Sequence, residues 1–539
     1  MNKRPRLLPF FKPRMDRPFP AWMIYPVIFV ALYVSHFTLL GLPYFWDEAG
    51  YYIPAAWDFF RTGSLIPLTT LSNAHPPLPS FYLALWWKFS GYSPEVTREA
   101  VLLVAALGLL AVWRLAQRVS GSAMVAFWTV VLTGLYPIWF VQSTLAQADI
   151  FAAACTLWGL VYAVPDRDRQ PWAAMLWFMA AALCKETAVA VPLTLAVIWF
   201  VEGLRTRASA RYRLWRESAW LTGSAVPLAG WFLWHYSKTG YFFGNPEYFR
   251  YNAESTMTPL RILVAFGYRV LHLTAHMNLF VPVLMTFAAL MLNPRPDADG
   301  HERPSISSAT LWRILIILLV NAILFSVLGG ALLTRYLLAM YPLVLLVAVS
   351  TFYQRVRFWH GVAAFSAGAF VVGLFINPPY RFAPEDNLEY ARVIRMHVAG
   401  ITQLNKHYRG AIVLTAWPMT DELTKPELGY VKEPYEVYRL EDFTAPQIDR
   451  AAGEPGKYST ALVFSTKYDP PSLPMSLGPK SEALDERYFG LHHDLPPEVI
   501  ANKLGGKVIW EGEDHEMWIA LLRFNRQFEA SLERPDALR

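Results

Sequence analysis

Cysteine is nearly missing from this chain: Cys155 and Cys184 are the only two in 539 residues, and both lie in apolar runs. That excludes a disulfide framework and a cysteine metal cluster, and both read as small buried hydrophobes. Charge is also scarce. Asp, Glu, Lys and Arg make up 17% of the chain, below the roughly 25% usual in soluble domains. There is no Gly-rich phosphate loop, nucleophile elbow, soluble-enzyme triad or His-rich metal spacing, and no internal repeat or low-complexity tract. No matched pair of Gly/Pro-broken apolar segments marks a transporter built from two halves. The N-terminus is basic, with Lys3, Arg4, Arg6, Lys12, Arg14 and Arg17, but has no small-residue cleavage site before Trp22. A cleaved signal peptide is therefore not expected. Nothing else in the sequence supports a nucleic-acid partner.

What the chain has in quantity is apolar and aromatic surface: 54% hydrophobic residues, with 21 Trp and 27 Tyr to line two membrane interfaces. A helix needs about 20 apolar residues to cross the hydrocarbon core. Candidate spans are 22–42, 97–117, 122–142, 145–164, 171–185, 187–203, 218–236, 274–292, 310–330, 335–353 and 359–377, a polytopic α-helical protein of about 11 transmembrane helices. The stretch 76–90 is short, starts with three prolines in four residues and carries Trp86, Trp87 and Lys88. It reads as an interfacial helix, as does Tyr51 to Phe60.

With a cytoplasmic N-terminus, the inside loops then hold Arg114 and Arg118; Arg167 and Arg169; Arg205, Arg207, Arg211, Arg213 and Arg216; Arg295 and Arg303; and Arg355 and Arg357. The short outside connection 143–148 holds no Lys or Arg. This is the positive-inside pattern. It places Asp47–His75, Asp149, Lys185–Glu186, the stretch 237–270 and Arg335 at the outer face of the cell (inner) membrane, around a cavity opening outward.

After Pro378-Pro379 the chain turns polar, and no later run is long enough to span. The expected organisation is a membrane domain over 1–380 and an extracytoplasmic (periplasmic) soluble α/β domain over 381–539. In the latter, Leu388–Tyr408 and Pro496–Leu504 read as helices, and Ala411–Thr415, Thr460–Phe464 and Met517–Phe524 as strands. The loop 293–308 reads as a flexible cytoplasmic linker.

The residues able to carry chemistry sit at the ends of the apolar runs. Ionisable groups at a membrane edge are costly unless a polar site receives them. Asp47 and Glu48 suit a general base with a neighbour that orients it or binds a metal; Asp47 also suits the cap of a helix over 48–60. His75, fixed by Pro76 and Pro77, suits a hydrogen bond to an anionic or sugar group. Asp149 lies between two spans with almost no loop and suits a sugar, an acceptor or a metal. Lys185 offers a point charge for phosphate or snorkels to the interface. Arg335, followed by Tyr336, offers a fork for phosphate oxygens or an interface anchor. The stretch Tyr248 to Glu254, with Arg250, is an aromatic-polar loop suited to sugar.

The run Trp46-Asp47-Glu48-Ala49-Gly50-Tyr51-Tyr52, then Gly63, then His75-Pro76-Pro77-Leu78, resembles the first outer loop of the GT-C glycosyltransferases. It is most similar to the protein O-mannosyltransferase-like family, related to lipid A aminoarabinose transferase. Asp149, Lys185 and Arg335-Tyr336 match further landmarks, over about residues 20–380 in all. The resemblance implies a polyprenyl-phosphate-linked sugar donor and transfer at the outer face to a lipid, glycan or protein acceptor. Asp47 would match the base, Asp149 the second acid, and Lys185 and Arg335 the donor-phosphate contacts. Two departures stand out: His75-Pro76-Pro77 replaces the Glu-Lys-Pro of the aminoarabinose transferase, and Glu186 follows Lys185. With a phosphate leaving group, stabilised by these cations or by a divalent metal ion, one displacement inverts the anomeric carbon. A transporter or flippase for lipid-linked saccharides would use the same cavity without chemistry.

Overall fold

Apolar runs between Pro, Ser and Gly punctuation become helices over the described residues from Ala21 to Phe375. The computed structural model describes residues 21–166, 168–296, 300, 302–470, 475 and 478–524. The basic N-terminus and Arg167 lie outside the described residues. The longest helix, Pro94–Ser120, shows how the ends are set. The Ser93 side chain accepts a hydrogen bond from the Val96 amide, Pro94 opens the first turn, and Gly121 closes the last with φ +69°. Tyr136-Pro137 breaks the next apolar run into Ala123–Leu135 and Pro137–Gln142.

Among the described residues, three helices are long and apolar enough to cross a membrane: Pro94–Ser120, Glu186–Leu204 and Ser308–Val327. The pair Pro259–Asn278 and Phe280–Leu290 qualifies jointly but is bent by 99°. Met277 and Asn278, with φ of 47° and 65°, make that bend. Shorter apolar helices cover Met23–Leu39, Ala123–Leu135, Ala148–Ala163, Pro171–Cys184 and Trp359–Phe375. Tyr341–Arg355 fills the expected span after Arg335.

Two expected spans change: the one read over 274–292 is only the second arm of the bent pair, whose first helix, Pro259–Thr274, lies largely in the stretch 237–270 read as an outer-face connection. The span read over 218–236 is two helices, Ala208–Gly223 and Val226–Thr239. Arg211, Arg213 and Arg216 therefore lie on a helix rather than in a loop. Ala, Arg and Leu are strong helix formers, and the Arg213–Glu217 pair at 2.9 Å adds i,i+4 support.

The two helices expected at the interface are present. A π-turn over Glu48–Tyr52 runs into Ile53–Thr62, and Leu78–Ser90 follows Pro76-Pro77. They pack through aromatic rings: Phe59 on Phe81 at 6.0 Å, and Trp57 and Phe60 on Trp87 at 6.3 and 5.9 Å.

The polar C-terminal part forms one five-stranded mixed sheet. Strand β1 is Ile412–Ala416, β2 Glu436–Leu440, β3 Thr460–Phe464, β4 Gly506–Asp514 and β5 Met517–Phe524. The order is β2-β1-β3-β5-β4, with β1 parallel to β2 and β3, and β5 antiparallel to β3 and β4. The Glu389–His407 helix packs on the sheet and buries Val393, Ile394, Ile401 and Leu404, while Tyr390 at its start turns to Phe45 and Thr144. Gly400 lets it approach, since a Cβ there would stand 2.6 Å from Ile519. The helix Pro497–Lys503 packs on β4 and β5, whereas Pro479–Phe489 lies against the Pro259–Thr274 helix, where the Tyr268 hydroxyl donates to Asp485 at 3.0 Å.

Close helix packing positions Asp149 and Lys185, which sit at the facing ends of Ala148–Ala163 and Pro171–Cys184. A Cβ at Gly159 would meet the buried Phe178 ring at 2.4 Å. Gly159→Val is therefore expected to force these helices apart, at a cost of about 1–3 kcal/mol or more. Thermal unfolding in detergent should show a lower midpoint for this variant; an unchanged midpoint would contradict the packing.

Candidate active site

Arg335 is the centre of the polar cluster. It lies in a 3-10 turn, Thr334–Leu337, and its side chain is 2% exposed. Its guanidinium contacts carboxylates from three distant parts of the chain. Asp47 and Glu385 pair with it directly, and Asp149 Oδ2 lies 3.3 Å from its Nε. Lys185 Nζ holds the other oxygen of Asp149 at 2.6 Å. Lys185 also stands 4.1 Å from the centre of the Tyr336 ring, with Arg269 and Arg335 at 5.7 and 5.8 Å from the same ring.

Local structure aims each side chain. Trp46 adopts φ 49°, and the chain enters the Glu48–Tyr52 turn immediately after it, placing Asp47 at the junction. Asp47 makes no side-chain capping bond, and its carboxylate goes to Arg335 instead. Asp149 occupies the first turn of its helix. Lys185 is extended, with φ −149°, between Cys184 and the Glu186–Val189 turn. Glu385 lies in the Pro384–Asp386 turn and accepts a 3.1 Å bond from Gln147 Nε2. Burial pushes the Glu385 carboxyl up to about 7, Arg335 opposing and Asp47 adding to the rise. The adjacent Asp386 accepts from the Thr334 hydroxyl and lies 2.9 Å from His276 Nε2.

Two hollows flank the Asp149–Lys185 pair. One, about 370 Å³, is lined on its apolar side by Ala152, Ala153, Val191, Phe325 and Leu338, with Asp149, Lys185 and Arg335 at its polar side. The other is lined by Tyr52, His75, Pro77, Cys184 and Trp231. His75 is held on both ring nitrogens: Nδ1 lies 3.1 Å from Glu186, and Nε2 lies 3.4 Å from the Tyr248 hydroxyl. Its ring stacks on Tyr52 at 5.7 Å.

The predicted residues thus separate into groups. Asp47, Asp149, Lys185, Arg335 and Tyr336 converge. His75 and Tyr248 form a neighbouring pair with Glu186. Arg250 and Glu254 stand exposed on the turn that carries them and do not enter the cluster. From that turn the Tyr251 ring lies against Gly330, although the residue is itself exposed. Glu48 requires the clearest correction. It faces away from Arg335, is fully buried, and takes hydrogen bonds from the Phe45 and Ala146 amides at 2.9 and 2.6 Å. Its counter-charge is Arg98 at 3.4 Å, which also donates to the carbonyls of Leu42, Pro43 and Thr144. Every polar atom there has a structural partner, so Glu48 ties the first loop to the helices.

A metal held by Asp47 and Asp149 does not fit this donor set. The Arg335 guanidinium stands between the two carboxylates. Among the described residues no group of three or more His, Cys, Asp or Glu is arranged to hold an ion. Glu385 and Gln147 were the functional-site residues missed in the sequence. Pro384-Glu385-Asp386, an acidic pair soon after the last apolar run, was the signal for the first; Gln147, two residues before Asp149, had none beyond its neighbour.

The sequence family described as dolichyl-phosphate-mannose-protein mannosyltransferase matches residues 74–234. A curated relative, the polyprenol-phosphate-mannose–protein mannosyltransferase of Corynebacterium glutamicum, is 34% identical over 149 residues, 25% of this chain and 27% of that protein. The chain thus matches about a quarter of that relative's length. The crystal structure of ArnT from Cupriavidus metallidurans bound to undecaprenyl phosphate superposes with a TM-score of 0.54 at 15% identity, covering 92% of this chain and 98% of that one. The apo structure of the same protein gives 0.51 at 15% identity, over 93% and 98%. The chain shares its fold with these ArnT structures, and over residues 74–234 it is similar to the mannosyltransferase family. That fold and the apolar helices support a polytopic helical membrane protein.

Two stability outcomes follow from the buried charges. Glu48→Ala strands the Arg98 charge and is expected to cost about 3–5 kcal/mol; a thermal midpoint equal to wild type would contradict the structural role. A carboxyl held above its unfolded value binds, in the folded state, a proton that the unfolded chain releases. Glu385 thus makes the protein less stable as pH rises from about 4.5 to about 7. Glu385→Gln should flatten that part of the stability–pH curve, and an unchanged slope would contradict it.

Proposed function

We propose that this protein transfers a sugar from a polyprenyl-phosphate donor to an acceptor hydroxyl at the outer face of the membrane, with inversion. The observation that carries the reading is the coincidence of two buried cations with an apolar groove and a partly open carboxylate. Lys185 and Arg335 lie at the polar side of the hollow lined by Ala152, Ala153, Val191, Phe325 and Leu338. An anionic head on a hydrocarbon chain matches that arrangement. The Cupriavidus ArnT of the same fold was crystallised with undecaprenyl phosphate.

Of the three carboxylates on Arg335, Asp47 is the most accessible: its side chain is 20% exposed, against 2% for Asp149 and 6% for Glu385. It is the base in this reading. A donor phosphate arriving at Arg335 competes with Asp47 for the guanidinium and leaves that carboxylate free to accept a proton. The acceptor oxygen then attacks the anomeric carbon, the bond from that carbon to the phosphate oxygen breaks, and the acceptor proton passes to Asp47. The polyprenyl phosphate leaves with the bonding pair, its charge held by Arg335 and Lys185. Asp149 keeps both cations aimed. No strong general acid is needed, since phosphate is already a good leaving group, in contrast to glycosidases.

In the reading of eleven spans from a cytoplasmic N-terminus, this cluster and the sheet-bearing C-terminal part lie on the extracytoplasmic side. The mannosyltransferase names of the family and of the curated relative favour a hexose donor. The acceptor class is a lipid, glycan or protein hydroxyl.

Asp47→Asn is expected to lower transfer from polyprenyl-phosphate mannose by at least about 10²-fold, the usual scale for a lost general base, while leaving a folded protein in detergent. Label from the donor should appear in a new covalent linkage with wild type and not with the variant. Full turnover by Asp47→Asn would remove it from the mechanism; movement of donor across vesicles with no new linkage would replace transfer by transport.

A further inference from the structure

We propose that Trp417, on the loop following β1, is a positioning residue that holds the Asp47 turn in its working conformation. The C-terminal part of the chain is thereby built into the active site. The proposal rests on the reading of Asp47 as the base.

Three observations converge on this contact. First, Trp46, directly before Asp47, is a bulky residue with φ 49°, a backbone conformation that L side chains avoid. Such a residue persists only where its surroundings over-determine it. Second, the Trp417 indole packs edge-on to Trp46 with ring centres 4.8 Å apart, and lies 6.5 Å from Tyr51. Third, the same indole closes over Gly50. A Cβ there would meet Trp417 ring atoms at 3.1, 3.2 and 3.4 Å, so glycine is what allows the ring to seat. Residues on both sides of Asp47 therefore touch one side chain from beyond residue 380.

The indole is itself oriented, and its surroundings are anchored. Trp417 Nε1 donates to Asp421 at 3.2 Å. Farther along, the Tyr430 hydroxyl donates to the Tyr44 carbonyl at 2.9 Å, the Tyr44 amide donates to the Leu428 carbonyl at 3.3 Å, and the Tyr92 hydroxyl donates to the Glu427 carbonyl at 2.5 Å. These bonds fix segment 417–430 against the start of the first loop. With Glu48 clamped from below by Arg98, the Asp47 turn is held from two sides.

The consequence is catalytic rather than merely architectural. Removing the indole frees Trp46 to relax, and Asp47 moves relative to the acceptor while Lys185 and Arg335 keep their places. A displacement of about 1 Å in a reacting group is enough to cost roughly 10²-fold in rate. The test is a double-mutant cycle with Trp417→Ala and Gly50→Ala, read by kcat and, separately, by binding of undecaprenyl phosphate to the full chain in detergent. Trp417→Ala should lower kcat roughly 10–100-fold with lipid-phosphate binding unchanged, and Trp417→Phe should recover most of the loss. Gly50→Ala should be costly in the wild-type background and nearly silent beside Trp417→Ala, because the space is then open. A wild-type kcat for Trp417→Ala, an equal loss of lipid-phosphate binding and turnover, or additive losses in the cycle would overturn the proposal. Asp47→Asn separates the two claims. If that variant keeps turnover, the base assignment fails. If Asp47 is required and Trp417→Ala is fully active, only the clamp fails.

Discussion

A guanidinium buried to 2% exposure cannot stand without counter-charges, and Arg335 finds three of them. One comes from the first loop, one from the start of a central helix, and one from the turn that follows the last apolar helix. Desolvating an unpaired charge costs several kcal/mol, so these segments are coupled: the ion pairs form together or leave a charge stranded. The convergence of residues 47, 149, 335 and 385 is therefore a property of the fold as a whole. No single loop carries the site.

The same arrangement reconciles stability with chemistry. A permanent salt bridge would waste the carboxylate that the proposed transfer uses as a base. Here Arg335 is shared among more acids than it can neutralise, and Glu385 is held at a value near 7 by burial. A phosphate joining this cluster redistributes the guanidinium among its partners instead of breaking an isolated pair. The supports around it are of the opposite kind. Glu48 and Arg98 have every polar atom partnered and no path to solvent, which suits an anchor and excludes a base. His75 is occupied on both nitrogens by Glu186 and Tyr248, so it shapes the neighbouring cleft through a fixed hydrogen-bond chain.

Much of this architecture is legible in the sequence, and the exceptions have physical causes. Apolar runs bounded by Pro, Ser and Gly reveal the helices, because length and composition decide them. The boundary at Ala208 moved because a charged but helix-favouring stretch looks like a loop to a hydropathy reading. In the sheet, β1, β3 and β5 are legible and β2 and β4 are not. The two missed strands are the edges, where polar, partly exposed residues such as those of Glu436–Leu440 blur the alternation. At the site, Asp47, Asp149, Lys185 and Arg335 are conspicuous because each interrupts an apolar context. Glu385 belongs to an acidic pair at the start of the polar C-terminal part, and only tertiary structure brings it to Arg335. Glu48 shows the converse: a carboxylate conspicuous beside Asp47 turns inward, since adjacent residues of a tight turn face different ways.

The central claim is that Lys185 and Arg335 receive the phosphate of a polyprenyl lipid whose tail occupies the groove lined by Ala152, Ala153 and Val191. The most direct measurement is an experimental structure of the full chain with undecaprenyl phosphate in a lipid nanodisc. The account predicts density for the phosphate within hydrogen-bond reach of both cations, continuous with a chain in that groove. A lipid phosphate bound elsewhere, with Arg335 still enclosed by its three carboxylates, would contradict it.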